Sequence, residues 1–327
     1  MKRYAIGVDM GGTNTRIALV ERVSVSSRTD ARVVACKSCP TRRLLTPRAL
    51  VAEVGETVRR LVGDARLTPG QVSGIGIGAP GSVDVPKGLV HFLPNVPRWR
   101  NVPLARLVAR KTGMMTRVDN DANAMAQGEF KFGAAHGARN AIFLTLGTGV
   151  GGGLLVNGEL FHGSDFSAAE IGHIRYNPSG EKCACGARGC IETEMGNSYL
   201  MRRLEADLKR GEHTVIQELV RASADKKPRL EMVTQAAQEG DRYAIRFWRR
   251  IGETLGDFLG GLCNLLNPET VVIGGGIAQA GRFLFVPLKA SLRKNAFPAA
   301  SGVRIVPARL GLDAGLIGAA SLVYDKD

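Results

Sequence analysis

The sequence predicts a mixed α/β protein of two domains, and three observations carry that prediction. The chain has 327 residues, enough for a large core and for more than one domain. An apolar strand, a glycine turn and a second apolar strand occur twice, first as "YAIGVDMGGTNTRIALVE" and again as "NAIFLTLGTGVGGGLLVNGEL". Between and after these copies, apolar residues recur at helical spacing. The duplication is weak, of the kind expected when two similar domains face each other.

The first forty residues alternate as strands do. From Thr46 the period changes. Thr46 is placed to cap a helix, Pro47 suits its first turn, and Leu50, Val51, Val54, Val58, Leu61 and Val62 repeat at helical spacing. "VSGIGIGAPG" reads as a buried strand entering a turn, "PLARLVARKTG" as a helix, and "TRVDNDANAMAQGEF" as a strand end passing into a helix. Beyond the second glycine hairpin, "IGETLGDFLGGLCNLLNPETVVIGGGI" gives a helix, a strand and a glycine loop. Asp313 is placed to cap a closing helix, "AGLIGAASLVY". The expected boundary lies just before Asp119: residues 1–118, completed by the closing helix over about 311–327, form one domain and 119–310 the other.

Composition is that of an ordinary globular protein, with 44% apolar and 23% charged residues. No signal peptide is visible behind Met1-Lys2-Arg3, and no apolar run reaches membrane-spanning length, so cytoplasmic residence is expected. Forty-four Lys and Arg against thirty Asp and Glu leave a net charge of +14. Such a balance can signal nucleic-acid binding. Here, however, the basic residues are dispersed, and Arg202-Arg203, Lys209-Arg210 and Arg249-Arg250 fall on helical, solvent-like faces. A solvated surface is expected, with no nucleic-acid partner.

Three of the six cysteines stand together in "EIGHIRYNPSGEKCACGARGCIE". Cys183, Cys185 and Cys190 are separated by glycines and small residues, and His173 would complete four borderline-soft ligands suited to tetrahedral zinc. A disulfide or redox pair is the alternative, weakened because cytosolic thiols stay reduced. Cys36 and Cys39 form a lone C-x-x-C, and Cys263 lies in an apolar helical pattern; these three read as packing residues.

Three further stretches carry chemistry. "DMGGTNTR" sets Asp9 at a strand end beside Gly11, Gly12 and Thr13; glycines let backbone N–H groups approach a phosphate, and Asp9 could hold Mg²⁺. A lone hairpin of this kind would more often be an ordinary tight turn. "GTGVGG" satisfies the dinucleotide pattern G-x-G-x-x-G, but that fingerprint must open a helix, and the following "LLVNGEL" reads as a strand. A second phosphate-gripping hairpin, with Thr148 and Gly149 at its tip, fits better. "VDNDAN" puts Asn120 and Asp121 at a strand-to-helix junction, where a carboxylate can accept a hydroxyl proton and an amide can bind a polyol. A plain N-cap is equally consistent with the hexapeptide. Glu170, His173 and Glu192 around the cysteine loop add acceptors of the kind that sugar hydroxyls require.

In order and spacing, "DMGGTNTR", "GAPG", "LPNVP", "DNDAN", "LGTGVGGG", "EIGH", "CACGARGC" with its following "IE", and "VVIGGG" resemble the ROK family of bacterial sugar kinases and repressors over essentially the whole chain. The glucokinase-type members are the most similar. The resemblance implies a two-domain actin/hexokinase-like, or ribonuclease H-like, fold with an interdomain cleft. It implies Asp121 as the general base that deprotonates the sugar 6-hydroxyl for attack on the γ-phosphate of ATP. It places Gly81, Asn95, Asn120, Glu170, His173 and Glu192 around the sugar. Asp9, Gly11, Gly12, Thr13, Thr148 and Gly149 would handle phosphates and Mg²⁺, and Gly274, Gly275 and Gly276 would lie by the adenosine. The family's zinc ligands fall on His173, Cys183, Cys185 and Cys190, making that Zn²⁺ structural.

One departure concerns the stretch before E-I-G-H. The family often carries glycines there, whereas this chain reads "GSDFSAAEIGH", with Phe166 and Ala169. Sugar identity is therefore open among glucose, N-acetylmannosamine, N-acetylglucosamine, allose and fructose. The family's repressors usually carry a DNA-binding domain before the first phosphate hairpin, and Asp9 is expected to leave no room for one. A homodimer is the expected assembly.

Overall fold

The computed structural model describes residues 2–25, 28–93 and 96–324. Contacts divide the chain into two units, one of residues 1–139, 153–169 and 308–327, the other of residues 140–152 and 170–307.

In the first unit, β1 (Tyr4–Met10) pairs antiparallel with β2 (Asn14–Val25), and β2 pairs antiparallel with β3 (Arg28–Pro40). The β1–β2 turn is the predicted glycine hairpin, with Asp9 opposite Arg16 and Met10 opposite Thr15. After α1 (Pro47–Asp64) the chain returns as β4 (Val72–Ala79), parallel to β1. Thr46 caps α1 as expected, its Oγ1 accepting the Ala49 N–H at 3.2 Å. A small sheet of β5 (Ser82–Asp84), β6 (Leu89–Leu93) and β7 (Val96–Val102) follows. Then come α2 (Leu104–Thr112), β8 (Thr116–Asn120) and α3 (Asp121–Phe132), with β8 parallel to β4. The sheet order is β3-β2-β1-β4-β8.

Alternation along the strands splits this unit's core in two. Ile6, Val8, Ile17, Leu19, Ile75 and Ile77 bury one face of the sheet with Leu50, Val54 and Val58 of α1. Ala5, Ala18 and Val20 bury the other against Phe132 and the returning helix α10 (Ala314–Ser321). Small residues on that second face let α10 lie close: a Cβ on Gly76 would stand 1.7 Å from the Ala319 carbonyl oxygen. Glu129 secures the return. Its buried carboxylate accepts N–H bonds from Ala134, Arg309 and Leu310 at 2.6–3.1 Å. Asp313 flanks α10 without capping it, because its carboxylate is held by Arg16 at 2.7 Å.

The boundary expected before Asp119 falls inside this unit, since β8 is a strand of its sheet and α3 packs on α10. The predicted closing helix does lie with residues 1–118.

In the second unit, β9 (Ala141–Leu146) runs parallel to β12 (Thr270–Gly274), which pairs parallel with β13 (Arg304–Pro307). The chain turns from β9 into β10 (Val150–Val156) and leaves the unit within that strand; β11 (Glu159–Leu160) then pairs with the end of β10. The stretch "GTGVGG" therefore runs into a strand and opens no helix, which agrees with rejecting the dinucleotide reading. The helical layer comprises α4 (Glu192–Met195), α5 (Asn197–Lys209), α6 (Ile216–Ala222), α7 (Leu230–Gln238), α8 (Arg242–Leu266) and α9 (Arg282–Asn295). Cys263 is buried in α8, a packing residue as expected, and Cys39 packs on the first unit's core. Cys36 is exposed on the edge strand β3, so the packing role expected of it is not met.

Candidate active site

The first unit gathers the residues of "DMGGTNTR" and "DNDAN" at the ends of its parallel strands. The Asp9 carboxylate ends β1 beside the first turn of α10, so that a Cβ on Gly315 would meet its oxygens at 2.6 and 3.0 Å. Burial raises the Asp9 carboxyl above its usual range, and Arg16 across the ladder pulls it back down. The glycine turn is tied by Gly11 N–H to the Asn14 carbonyl at 3.1 Å and by the Thr41 hydroxyl to the Gly11 carbonyl at 2.7 Å. Gly12 and Thr13 are exposed at its tip.

At the β8–α3 junction the capping expectation for "DNDAN" is met. Asn120 is the N-cap: its Oδ1 accepts the N–H groups of Ala122 and Asn123 at 2.9 and 3.2 Å. Its Nδ2 donates to the Gly81 carbonyl at 3.2 Å, bringing two predicted sugar residues together. Asp121 is the first helical residue, and its Oδ1 accepts the Ala122 N–H at 2.9 Å. The expectation for Asn95 lies outside the described residues.

His162 was not singled out by sequence. It stands beside Asp119, Nε2 to Oδ2 at 2.9 Å, and that hydrogen bond is the leading cause that raises its pKa.

In the second unit, Thr148 is exposed at the tip of the second glycine turn, which closes by Gly147 N–H to the Gly149 carbonyl at 3.0 Å. Gly149 lies against Glu192, where a Cβ would come within 2.4 Å of Oε2. That same oxygen accepts the Val150 N–H at 3.0 Å. Glu192 thus holds the hairpin, and its Oε1 is 3.5 Å from the Cys183 sulfur. Glu170 is exposed just ahead of a short helical turn that delivers His173.

His173, Cys183, Cys185 and Cys190 converge, their ligand atoms all lying within 4.8 Å of one another. The His173 Nδ1 to Cys183 Sγ distance is 3.6 Å, and Cys185 Sγ to Cys190 Sγ is 3.7 Å. All four are free of disulfides. Burial pushes the Cys183 thiol up to about 12 and raises Cys190, whereas the backbone N–H of Ala187 lowers Cys185. The cysteine loop carries its own hydrogen bonds, among them Cys183 N–H to the Ala187 carbonyl and Gly189 N–H to the Glu181 carbonyl.

A cavity of about 220 Å³ in this unit is lined by Thr148 and Gly276, two predicted nucleotide residues, with Asn197, Thr234, Gln235 and Gln238. Gly274 is the buried end of β12, and Gly275 takes φ +88° against the Leu146 backbone; neither lines the cavity. The amide side chains were missed. Their signal was present in "LEMVTQAAQ", where Glu231, Thr234, Gln235 and Gln238 share one side of a helix whose other side is apolar. A larger cavity, about 840 Å³, contains none of the predicted residues and is walled by Arg–carboxylate pairs such as Arg203–Glu194 and Arg246–Glu212.

Comparison with known proteins decides the family. The ROK family model matches residues 5–326. The chain belongs to the ROK family. It is 36% identical over 326 residues to the glucokinase of Thermotoga maritima, covering 99% of this chain and 98% of that one. A solved ROK glucokinase from Streptomyces griseus, in complex with glucose and AMPPNP, is 32% identical with a TM-score of 0.77 over 98% of this chain and 99% of that one. The xylose repressor of Caldicellulosiruptor bescii is 31% identical over 244 residues, which cover 74% of this chain and 60% of the repressor. The fold is the actin/hexokinase-like one of the ROK sugar kinases.

Proposed function

We propose that this protein transfers the γ-phosphate of ATP to the 6-hydroxyl of a hexose, glucose foremost, with Asp121 as general base. The chain is an ATP-dependent sugar kinase, similar along its full length to glucokinases. The observation that carries the residue assignment is the β8–α3 turn. There Asn120 fills the N-cap role and Asp121 follows as the first helical residue, beside the Asn120–Gly81 pair. Asp121 accepts the hydroxyl proton as the oxygen attacks, and its bond to the Ala122 N–H holds the carboxylate in register. The Asn120 amide, with one N–H spent on Gly81, has its second for a sugar hydroxyl.

Phosphate handling is supported by where glycine is not needed by the fold. A Cβ on Gly12 or Gly276 would meet nothing within 4 Å, and neither residue has a left-handed φ. Nothing in the folded chain demands glycine at these two positions, so we assign the demand to the nucleotide that approaches them. Asp9 stands at the end of β1 beside the glycine turn, placed for a divalent cation, and Mg²⁺ bound with ATP neutralises charge on the transferring phosphoryl group.

The four-ligand cluster fits structural zinc. For Zn–S near 2.3 Å and Zn–N near 2.0–2.1 Å, tetrahedral edges come to about 3.8 Å between sulfurs and about 3.6 Å between sulfur and nitrogen. The observed 3.7 and 3.6 Å match. With all four positions filled by protein, such an ion would hold the loop and take no part in transfer. A metal-bound Cys183 thiolate has no proton for Glu192, which leaves Oε1 for a sugar hydroxyl.

The proposal includes a cytoplasmic homodimer with no nucleic-acid partner, testable by sedimentation and by gel shift with genomic DNA. Among the described residues no helix is long and apolar enough to cross a membrane. The principal test is ATP consumption with a panel of aldohexoses, ketohexoses and N-acetylhexosamines. Glucose is expected to support the highest kcat/KM, and failure with every sugar would overturn the assignment.

A further inference from the structure

The loop of residues 161–169 departs from ordinary backbone geometry twice. Phe166 has φ +61° and Ala169 φ +65°, conformations that glycine adopts freely and L side chains resist. Such strain persists only where surrounding contacts over-determine the conformation, and it gathers at functional sites. His162 supplies those contacts. Its carbonyl accepts the Ala168 N–H at 3.0 Å, closing the loop, and its ring lies 6.4 Å from the Phe166 ring, centroid to centroid. Its Nε2 meets Asp119 Oδ2 at 2.9 Å.

Asp119 is almost wholly buried, with 3% of its side chain exposed. Its second oxygen is also in use: Oδ1 accepts the Asn120 N–H at 2.7 Å and Asn123 Nδ2 at 3.2 Å. One carboxylate therefore links the strained loop to the turn that presents Asn120 and Asp121. A buried carboxylate needs donors on both oxygens, and removing one leaves charge without compensation.

We propose that His162 is a positioning residue for phosphoryl transfer, its Nε2–H fixing Asp119 and through it the turn that carries Asn120 and Asp121. The inference rests on Asp121 being the base. His162 touches neither the sugar nor the phosphate; it acts by keeping the base within reach of the hydroxyl, where a misplacement of about 1 Å can cost about 100-fold in rate. The groups facing the imidazole are the Asp119 carboxylate on β8, the Leu160 carbonyl and the uncharged Phe166 ring. Below its raised pKa the imidazolium gives a charge-assisted bond to Asp119; above it the bond is neutral and weaker.

The test compares wild type, His162→Ala, His162→Gln and Asp121→Asn in steady-state kinetics with glucose and ATP from pH 6 to 9, after thermal melts to establish folding. Gln places a neutral donor near the imidazole Nε2. In His162→Ala, kcat is expected to fall by about 10- to 100-fold while the glucose KM changes by less than about threefold. Wild type is expected to lose kcat toward alkaline pH as the imidazolium deprotonates, and His162→Gln should recover a large part of kcat and show no such decline. If His162→Ala does not fold, the Gln variant decides by that pH profile alone. Near-wild-type kcat in His162→Ala, or a Gln variant with the wild-type pH profile, overturns the positioning role. Near-normal turnover in Asp121→Asn overturns the base assignment and this inference with it; loss there beside an unaffected His162→Ala overturns this inference only.

Discussion

Replacing Cys185 by Ala should separate sugar binding from nucleotide binding. The four ligand atoms lie within 4.8 Å of one another, at spacings that suit a tetrahedral zinc, and Cys185 is the exposed sulfur among them. Structural zinc sites of four ligands bind with an apparent free energy of about 10–16 kcal/mol, so one ligand carries roughly 3–4 kcal/mol. At 1.4 kcal/mol per decade, its loss should weaken zinc by about 10²- to 10³-fold. The chain should stay folded, because the loop keeps its own backbone bonds and the three sheets lie elsewhere. What loosens is the anchor of His173, an exposed side chain whose described polar contact is the Cys183 sulfur. Glucose affinity should then fall by about 10-fold, the usual scale for disturbing residues that orient a ligand, while nucleotide affinity at the Thr148–Gly276 cavity changes by less than about twofold. Zinc content by mass spectrometry and calorimetric titration of glucose and of a non-hydrolysable ATP analogue make the comparison. Equal losses for both ligands, or zinc-free protein with full affinity, would refute the reasoning.

Asp121→Ala should lower kcat by about 10²- to 10⁴-fold, the range of a positioned general base, with a smaller effect on glucose binding measured by titration. Ala169→Gly should relieve about 1–2 kcal/mol of left-handed strain and cost about 0.5–1 kcal/mol in unfolded-chain entropy. The variant should therefore denature at the same or slightly higher urea concentration, never at a markedly lower one. Glu129→Ala removes a buried carboxylate and leaves three part-buried N–H groups without their acceptor, and should destabilise the first unit by about 3–5 kcal/mol, read as a shifted denaturation midpoint.

Much of the site was legible because its chemistry is local in sequence. Each glycine hairpin is a strand, a turn and a strand, so backbone and ligand chemistry coincide within twenty residues; the cysteine loop likewise brings three of its four ligands within eight residues. The residues that escaped are those whose meaning depends on distant partners. Nothing in "LFHGSD" announces that His162 meets a carboxylate forty-three residues upstream, and nothing near Asp313 announces that Arg16 will claim it in place of capping. The domain boundary was misplaced for a related reason. A helical period marks α3 as a helix but does not say which sheet it covers; that is settled by β8 joining β4 in parallel and by Gly128 and Gly318 allowing α3 and α10 to touch.

Phe166 and Ala169 show the two kinds of information meeting. By sequence they were a departure from a glycine-rich stretch, which left the sugar's identity open. The backbone gives a different weight to the same letters: both residues hold a left-handed conformation that glycine adopts freely, and each holds it at a cost in strain. At Phe166 part of that strain is offset by a ring that lies against His162, so the larger side chain is not idle bulk. A loop stiffened in this way leads directly into Glu170 and His173, two of the residues assigned to the sugar.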